Sequence, residues 1–325
     1  MARNGLFFCS GLIHRLPYKV VQSLTYVLIE IGFCFTIRLK RITRESLQIA
    51  FGQTKNKKEI EAIVRKCFEN FGQGMVELMY FMAHPAMIKE KVVLDGGQYL
   101  NKVLEKGKGA IVVSAHFGNF PLMLLRLAQE GYKTNAIIRP TRDPEIEKYF
   151  LAQRTQLGLN TIYSHPRKQC VDNTIRALRN NEVVFIPLDQ NFGNGAGVFV
   201  EFFGQQAATA TGPVVFAQRT GAPILPMFII REKGDQHRVI MEPSLTLEER
   251  ANDGDGEMIQ VNVAKITNLI EQYIRKYPHE WGWMHRRWKS KPFEQIRQAR
   301  GEREAAAPLR DDGPDFPNNF KGKPD

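Results

Sequence analysis

Three apolar runs in this chain each end on a side chain that could do chemistry. "AIVVSA" runs into His116, "NAII" into Arg139 and "VVFIPL" into Asp189. An imidazole can take a proton from a hydroxyl near neutral pH, a guanidinium can hold an anion, and a carboxylate can fix an imidazole tautomer. His116 opens "HFGNF", which reads as a turn leading into a helix at Pro121. A base needs an orienting partner, and the nearby position where a carboxylate would serve holds Pro121. A lone histidine is more often structural than catalytic, so the case for His116 rests on its place at a strand end.

The surrounding elements supply that place. Ile60, Ile63, Val64, Cys67, Phe68 and Phe71 recur at helical spacing within 59–82. "AIVVSA", "TNAIIR", "NTIYS" and "VVFIPLD" read as buried strands, with helices over 121–130, 144–157 and 168–179 between them. A helix over 211–220, strands "PILPMFII" and "HRVIMEP", and an amphipathic helix over 258–277 follow. Short apolar strands alternating with helices predict an α/β fold with a mainly parallel central sheet flanked by helices. In such sheets, sites lie beyond the C-terminal strand ends, where His116, Arg139 and Asp189 converge.

Other segments leave alternatives open. "QNFGNGAGVFVEFFG" reads as a Gly-rich loop, but it is neither GxGxxG nor GxxxxGK[ST], so no nucleotide site is supported. "FFGQQAATATGP" either binds a ligand or caps the helix from Thr211. "HEWGWMHRRWK" is a membrane-interface belt, a polyanion contact, or a segment pinned to the core by its tryptophans.

The 325 residues carry a formal charge of +11, which favours anionic partners. Nucleic acid is not among those expected, because no basic base-reading helix or stacking platform is evident. Four scattered cysteines, without CxxC or HExxH, indicate neither a disulfide framework nor a metal site. Leu16–Arg41 is largely apolar, interrupted by Gln22, Ser23 and Glu30, and followed by a basic cluster. It is expected to associate with membrane, as a weak span or an interfacial helix. The expected organisation is an anchoring helix and basic flank over 1–41, a main domain over 42–289 and a disordered tail over 290–325.

Five segments in order resemble the bacterial lipid A late acyltransferases, the lauroyl/myristoyl family within the lysophospholipid acyltransferase superfamily. They are "ITRESLQIAFG", "KGKGAIVVSAHFGNF", "IIRP" with the later "RTQLG", the block from "VVFIPLDQNFG" to "TGAPILP", and "HEWGWMHRRWK". The resemblance implies a protein at the cytoplasmic face of the bacterial inner membrane. It would move an acyl chain from acyl-carrier protein or coenzyme A to a hydroxyl of a lipid A precursor or related lipid, without metal or cofactor. His116 would be the general base, Asn119 would orient its turn, and N–H groups around Gly118 to Phe120 would hold the oxyanion. Asp189 and Gln190 would fix side chains across the site, and Arg139 and Arg154 would hold phosphate. Phe117, Phe120, Phe202 and Phe203 could line an acyl groove, with Gly204, Thr209 and Thr211 also on the substrate side. The family motif has Asp or Glu five positions after the histidine, where this chain has Pro121. Either Asp189 or Glu201 substitutes, or water or a carbonyl serves, or the chain is a catalytically impaired lipid-binding protein on the same fold.

Overall fold

The strands most apolar in sequence form the centre of the sheet. β2 (Ala110–Ser114), β5 (Val183–Pro187) and β8 (Ile224–Arg231) are buried almost throughout. Successive side chains of β2 feed opposite layers: Ile111 and Val113 enter one core, Ala110 and Val112 the other. Only a sheet covered on both faces accepts such strands. The computed structural model describes residues 11, 13–193, 197–248 and 255–293.

The sheet has seven strands, with β1 (Val92–Asp95), β3 (Thr134–Ile138), β4 (Leu159–Tyr163) and β9 (His237–Met241) completing the order β1-β9-β8-β2-β5-β3-β4. The five strands from β8 to β4 are parallel; β9 runs antiparallel to β8, and β1 is parallel to β9. The α/β architecture is therefore the one read from the sequence. The segment read as a loop differs: from Val198 it forms a separate hairpin of β6 (Val198–Phe202) and β7 (Gln205–Thr209). Glycine in "GVFVEFFG" drew attention from the alternation of Val198, Val200 and Phe202, the half-buried strand signal.

The helices are α1 (Tyr18–Phe35), α2 (Ile37–Phe51), α3 (Lys57–Ala83), α4 (Pro85–Lys91), α5 (Gly97–Leu104), α6 (Phe120–Gln129), α7 (Pro144–Gln156), α8 (Arg167–Arg179), α9 (Gly212–Thr220) and α10 (Asp255–Lys276). A capping box starts α3, with Asn56 accepting from the Glu59 N–H and Glu59 accepting from the Asn56 N–H. Pro121 lies in the first turn of α6, where a missing N–H costs no helical hydrogen bond. The described residues up to Ser290 belong to one compact unit. The tail expected from residue 290 falls, from 294 onward, outside the described residues.

The apolar N-terminal stretch is not one helix. It breaks at Thr36, and α1 lies along α3, with Ile29 seated over Gly72 where any β-carbon would collide. Gln22 and Glu30, which interrupt the apolar run, face the body: Gln22 donates to Asp235, and Glu30 pairs with Arg65 at 2.5 Å. Leu24, Val27, Leu28, Ile31 and Phe35 remain more than half or about half exposed. The helix is thus apolar outward and anchored inward, and at 18 residues, about 27 Å by helical rise, it is just long enough for a bilayer core. One N-terminal apolar helix of this kind is consistent with membrane association. Replacing both Leu28 and Ile31 with Glu should release the protein from sedimenting anionic vesicles. The melting temperature should hardly move, since both side chains face outward; unchanged sedimentation would assign that face another role.

Candidate active site

His116 follows β2 in a turn that the surrounding chain holds on both sides. Gly118 adopts φ +54°, and a β-carbon there would meet the Ile229 carbonyl oxygen at 2.1 Å. Its N–H donates to the Glu280 carbonyl at 2.7 Å, and the Gly282 N–H donates to the His116 carbonyl at 3.1 Å. Phe117 and Trp281 form an antiparallel bridge between these bonds. On the α3 side, the Asn119 amide donates to the Gly74 carbonyl at 2.9 Å.

Asp189, just beyond β5, grips the same turn. Its Oδ1 lies 2.9 Å from His116 Nδ1, and its Oδ2 accepts from the His116 backbone N–H at 2.9 Å and from Trp281 Nε1 at 2.8 Å. The Asp189 side chain is fully buried, whereas a third of the His116 side chain is open. Burial alone would push Asp189 up and His116 down; each group's charge and hydrogen bond on the other outweigh this, so His116 lies above its ordinary value and Asp189 well below. The Nδ1–H is thereby committed to Asp189, which leaves Nε2 as the basic atom, 3.2 Å from the Gln190 amide. His285 sits edge-on to Trp281, with Nε2 3.7 Å from Asp189 Oδ2.

Two cavities meet at His116, Phe120 and Pro121. One, of about 300 Å³, runs between α6 and the β3–β5 strand ends, walled by Leu124, Ile137, Ile138, Phe150 and Phe185, with Arg139 and Arg154 on its lining. The other, of about 320 Å³, runs toward α3 and the segment from His279 to Met284. A partly open imidazole at the junction of two apolar-walled cavities can bring together two substrates with long chains.

The model of the bacterial lipid A biosynthesis acyltransferases matches residues 5–290. The chain belongs to that family. A lauroyltransferase of lipid A biosynthesis from Escherichia coli K12 is 26% identical over 289 residues, 86% of this chain and 89% of that protein. A palmitoleoyltransferase from the same strain is 24% identical, with 86% and 88% covered. A phosphatidylinositol mannoside acyltransferase of Mycobacterium tuberculosis CDC 1551 is 26% identical over 60% of each chain. The protein is accordingly an acyltransferase of the lipid A and glycolipid type, which takes an acyl donor and a lipid acceptor.

Within this acyltransferase, several expected positions must be corrected. Glu201 cannot stand in for the motif acid where it sits: it is exposed on β6, its backbone paired with Gln206. Phe203 packs against Phe51, Trp283 and Trp288, and Gly204 forms the exposed hairpin turn. Thr209 is buried and accepts from Arg287, while Thr211 precedes α9 without a side-chain cap bond. These four residues line neither cavity. Phe117 and Phe202 are core residues, and Phe120 alone of the expected groove aromatics lines both cavities. Arg154 is engaged by Glu147 at 2.7 Å and by Thr161 at 3.0 Å, whereas Arg139 is exposed. The Gly118 N–H is taken by Glu280, so an oxyanion could find only Asn119 and Phe120 N–H groups in that turn.

The tryptophans form neither a membrane belt nor a polyanion contact: Trp281, Trp283 and Trp288 are buried. Arg287 is also fully buried and donates to the carbonyls of Gln190 and Ala208 and to Thr209. Burial pushes its guanidinium down to about 10, against the opposing pull of Asp189. Trp281, His285 and Arg287 were not singled out as site residues from the sequence. The signal for them was an unusual density of donors in one short segment, with Glu280 its single carboxylate.

The Asp189 carboxylate accounts for the upward direction of the His116 pKa. If His116 is the base, the acid limb of the kcat/KM profile should therefore fall above the usual histidine value of 6.5. Asp189→Asn should move that limb below it, since burial then dominates, and cost up to ~10⁴ in rate, as a lost tautomer does in a triad enzyme. An unmoved limb would separate the titration from this pair.

Proposed function

We propose that this protein transfers a fatty acyl chain from a carrier thioester to a hydroxyl of a membrane lipid, with His116 as general base. The reading is carried by the His116–Asp189 pair at the junction of the two cavities. His116 Nε2 takes the hydroxyl proton as the oxygen attacks the thioester carbonyl. The Phe120 N–H, free at the first turn of α6, faces the developing oxyanion. Collapse breaks the C–S bond, and the imidazolium returns its proton to the leaving thiolate, giving ester and thiol. Asp189 holds the tautomer and stabilises the imidazolium, and Asn119 anchors the turn to α3. Gln190 occupies Nε2 until the acceptor hydroxyl replaces it.

The acyl chain of the donor lies in the cavity between α6 and the β3–β5 ends, along Leu124, Ile137, Ile138, Phe150 and Phe185. Arg139 binds an anionic part of the donor at its mouth. Acyl-carrier protein and coenzyme A are both anionic, and both suit a chain of formal charge +11. The acceptor is a lipid A precursor or a related lipid, as the names of the relatives suggest, and the protein works at the cytoplasmic face of the inner membrane, held by α1.

Purified protein should move labelled acyl chains from a carrier thioester to such an acceptor, and His116→Ala should abolish this without loss of fold. Pro121→Glu should add little, because Nδ1 already has its carboxylate. A strong gain in rate from that variant would show that Asp189 does not serve. Absence of transfer with either donor would favour the lipid-binding reading. Arg139→Ala should raise KM by about tenfold, as expected for loss of a charge-assisted contact. Arg154→Ala should act mainly on stability, through Glu147; equal effects on KM from both arginines would count against this division.

A further inference from the structure

The Asp189 carboxylate holds one imidazole for the transfer chemistry and faces a second that this chemistry does not use. His285 Nε2 lies 3.7 Å from Asp189 Oδ2, within ion-pair reach but beyond a hydrogen bond. The oxygen itself explains the gap. Oδ2 already accepts from the His116 backbone N–H at 2.9 Å and from Trp281 Nε1 at 2.8 Å, which occupies its lone pairs. The His285 ring stands edge-on to the same indole, with centroids 4.9 Å apart at 87°, so the residue that binds Oδ2 also seats the second imidazole. Both His285 nitrogens are buried, and neither has a hydrogen-bond partner. A neutral imidazole carries one N–H, and a buried N–H without an acceptor is least costly when aimed at a negative charge. The proton therefore belongs on Nε2, toward Oδ2. His285 lines neither cavity, so it does not act by touching a substrate there.

We infer that His285 is a positioning residue that sets the basicity of His116 through Asp189: its N–H draws on the field of the carboxylate, so that His116 keeps a neutral Nε2 at the pH where transfer runs. The inference takes His116 as the base and to that extent rests on the acyltransferase reading. Burial lowers the His116 pKa, and Asp189 more than offsets this. An Asp189 that faced His116 alone would raise it further, and a base that stays protonated cannot take a proton. A donor on the other oxygen subtracts from that pull. It also favours the ionised acid: burial pushes Asp189 up, and the charges and hydrogen bonding of His116 and then His285 outweigh this. The other charges nearby are committed. Arg287 attracts Asp189 whatever His285 carries, from its seat on the Gln190 and Ala208 carbonyls. Of the groups that line the two cavities with His116, Arg231 gives both terminal nitrogens to Glu77, and His237 Nε2 lies 3.2 Å from the same carboxylate. His279 lies 3.8 Å from Glu280, Arg154 is held by Glu147, and Arg139 is exposed.

Carbon-13 labelling of the histidine rings lets NMR follow the His116 titration in the free protein, with His116→Gln assigning its resonance. His285→Phe keeps a ring edge for Trp281 but has no N–H. It should raise the His116 pKa by about half a pH unit or more, the direction expected when a donor leaves the carboxylate. His285→Gln, which returns a neutral N–H, should bring it back toward wild type. The Trp281 indole N–H resonance shows whether the segment stays seated; where Phe displaces it, His285→Leu serves as the smaller apolar variant. An unmoved or lowered His116 titration in the seated apolar variant, or a shift as large in Gln as in Phe, would overturn the inference. Thioester transfer is assayed in parallel. The acid limb of kcat/KM should rise with the ring titration, costing about threefold at pH values below the limb, with KM unchanged. A ring titration that moves while the limb stays would sink the base reading and keep this one; a limb that moves without the ring would do the reverse.

Discussion

The rest of the site depends on one fully buried carboxylate. Asp189 can remain ionised away from water only because donors converge on it from segments far apart in the chain: the His116 ring and backbone from the end of β2, and Trp281 from the segment after α10. A buried carboxylate without such partners would cost several kcal/mol or take up a proton. The need to satisfy it fixes the position of the His116 turn relative to β5 and draws the C-terminal segment across both. Arg287, also buried, ties that segment to Gln190, the residue after Asp189, so the acid and the residue touching Nε2 are held by the same strap.

This explains how a proline is tolerated where the family motif has an acid. An acid in the first turn of α6 would approach the imidazole from its own helix. Here the acid comes instead from the neighbouring parallel strand, and β2 and β5 are paired in register from Ala110–Val183 to Ser114–Pro187. His116 and Asp189 each lie two residues beyond that register, so pairing of the strands alone brings them level. Proline then costs the helix nothing and adds an apolar wall to both cavities.

Much of this was legible in the sequence. Apolar runs of β2, β3 and β5 marked the sheet, and their ends marked His116, Arg139 and Asp189 as neighbours, because a parallel sheet collects its C-terminal ends on one edge. Sequence reasoning failed where a side chain's partner lay far along the chain. Arg154 looked free in "RTQLG" but is held by Glu147 two turns back along α7, and Tyr163 joins the same carboxylate from β4. Phe203 and Thr209 looked like ligand contacts because they stand among aromatic, small and hydroxyl residues beside a Gly-rich loop, yet they face the tryptophans and Arg287. Glu201 followed strand alternation to the exposed face of its hairpin, which proximity in sequence could not reveal.

The Glu77–Arg231–His237 cluster shows the same limit and has a consequence for how the two cavities divide their work. Glu77 is on α3, Arg231 ends β8 and His237 begins β9, so only the β8–β9 reversal brings the three together. A bidentate pair buried there leaves little net charge, and such pairs are worth more for fixing geometry than for stability. It holds α3 at a set distance from the sheet edge, and α3 in turn carries Gly74, which receives Asn119, and Gly72, which receives α1. α1 and the turn that bears His116 are thus referred to one rigid element. In the proposed reaction a lipid held against α1 would be presented to His116 along α3, and the other cavity, on the far side of Phe120, would be left to the second substrate.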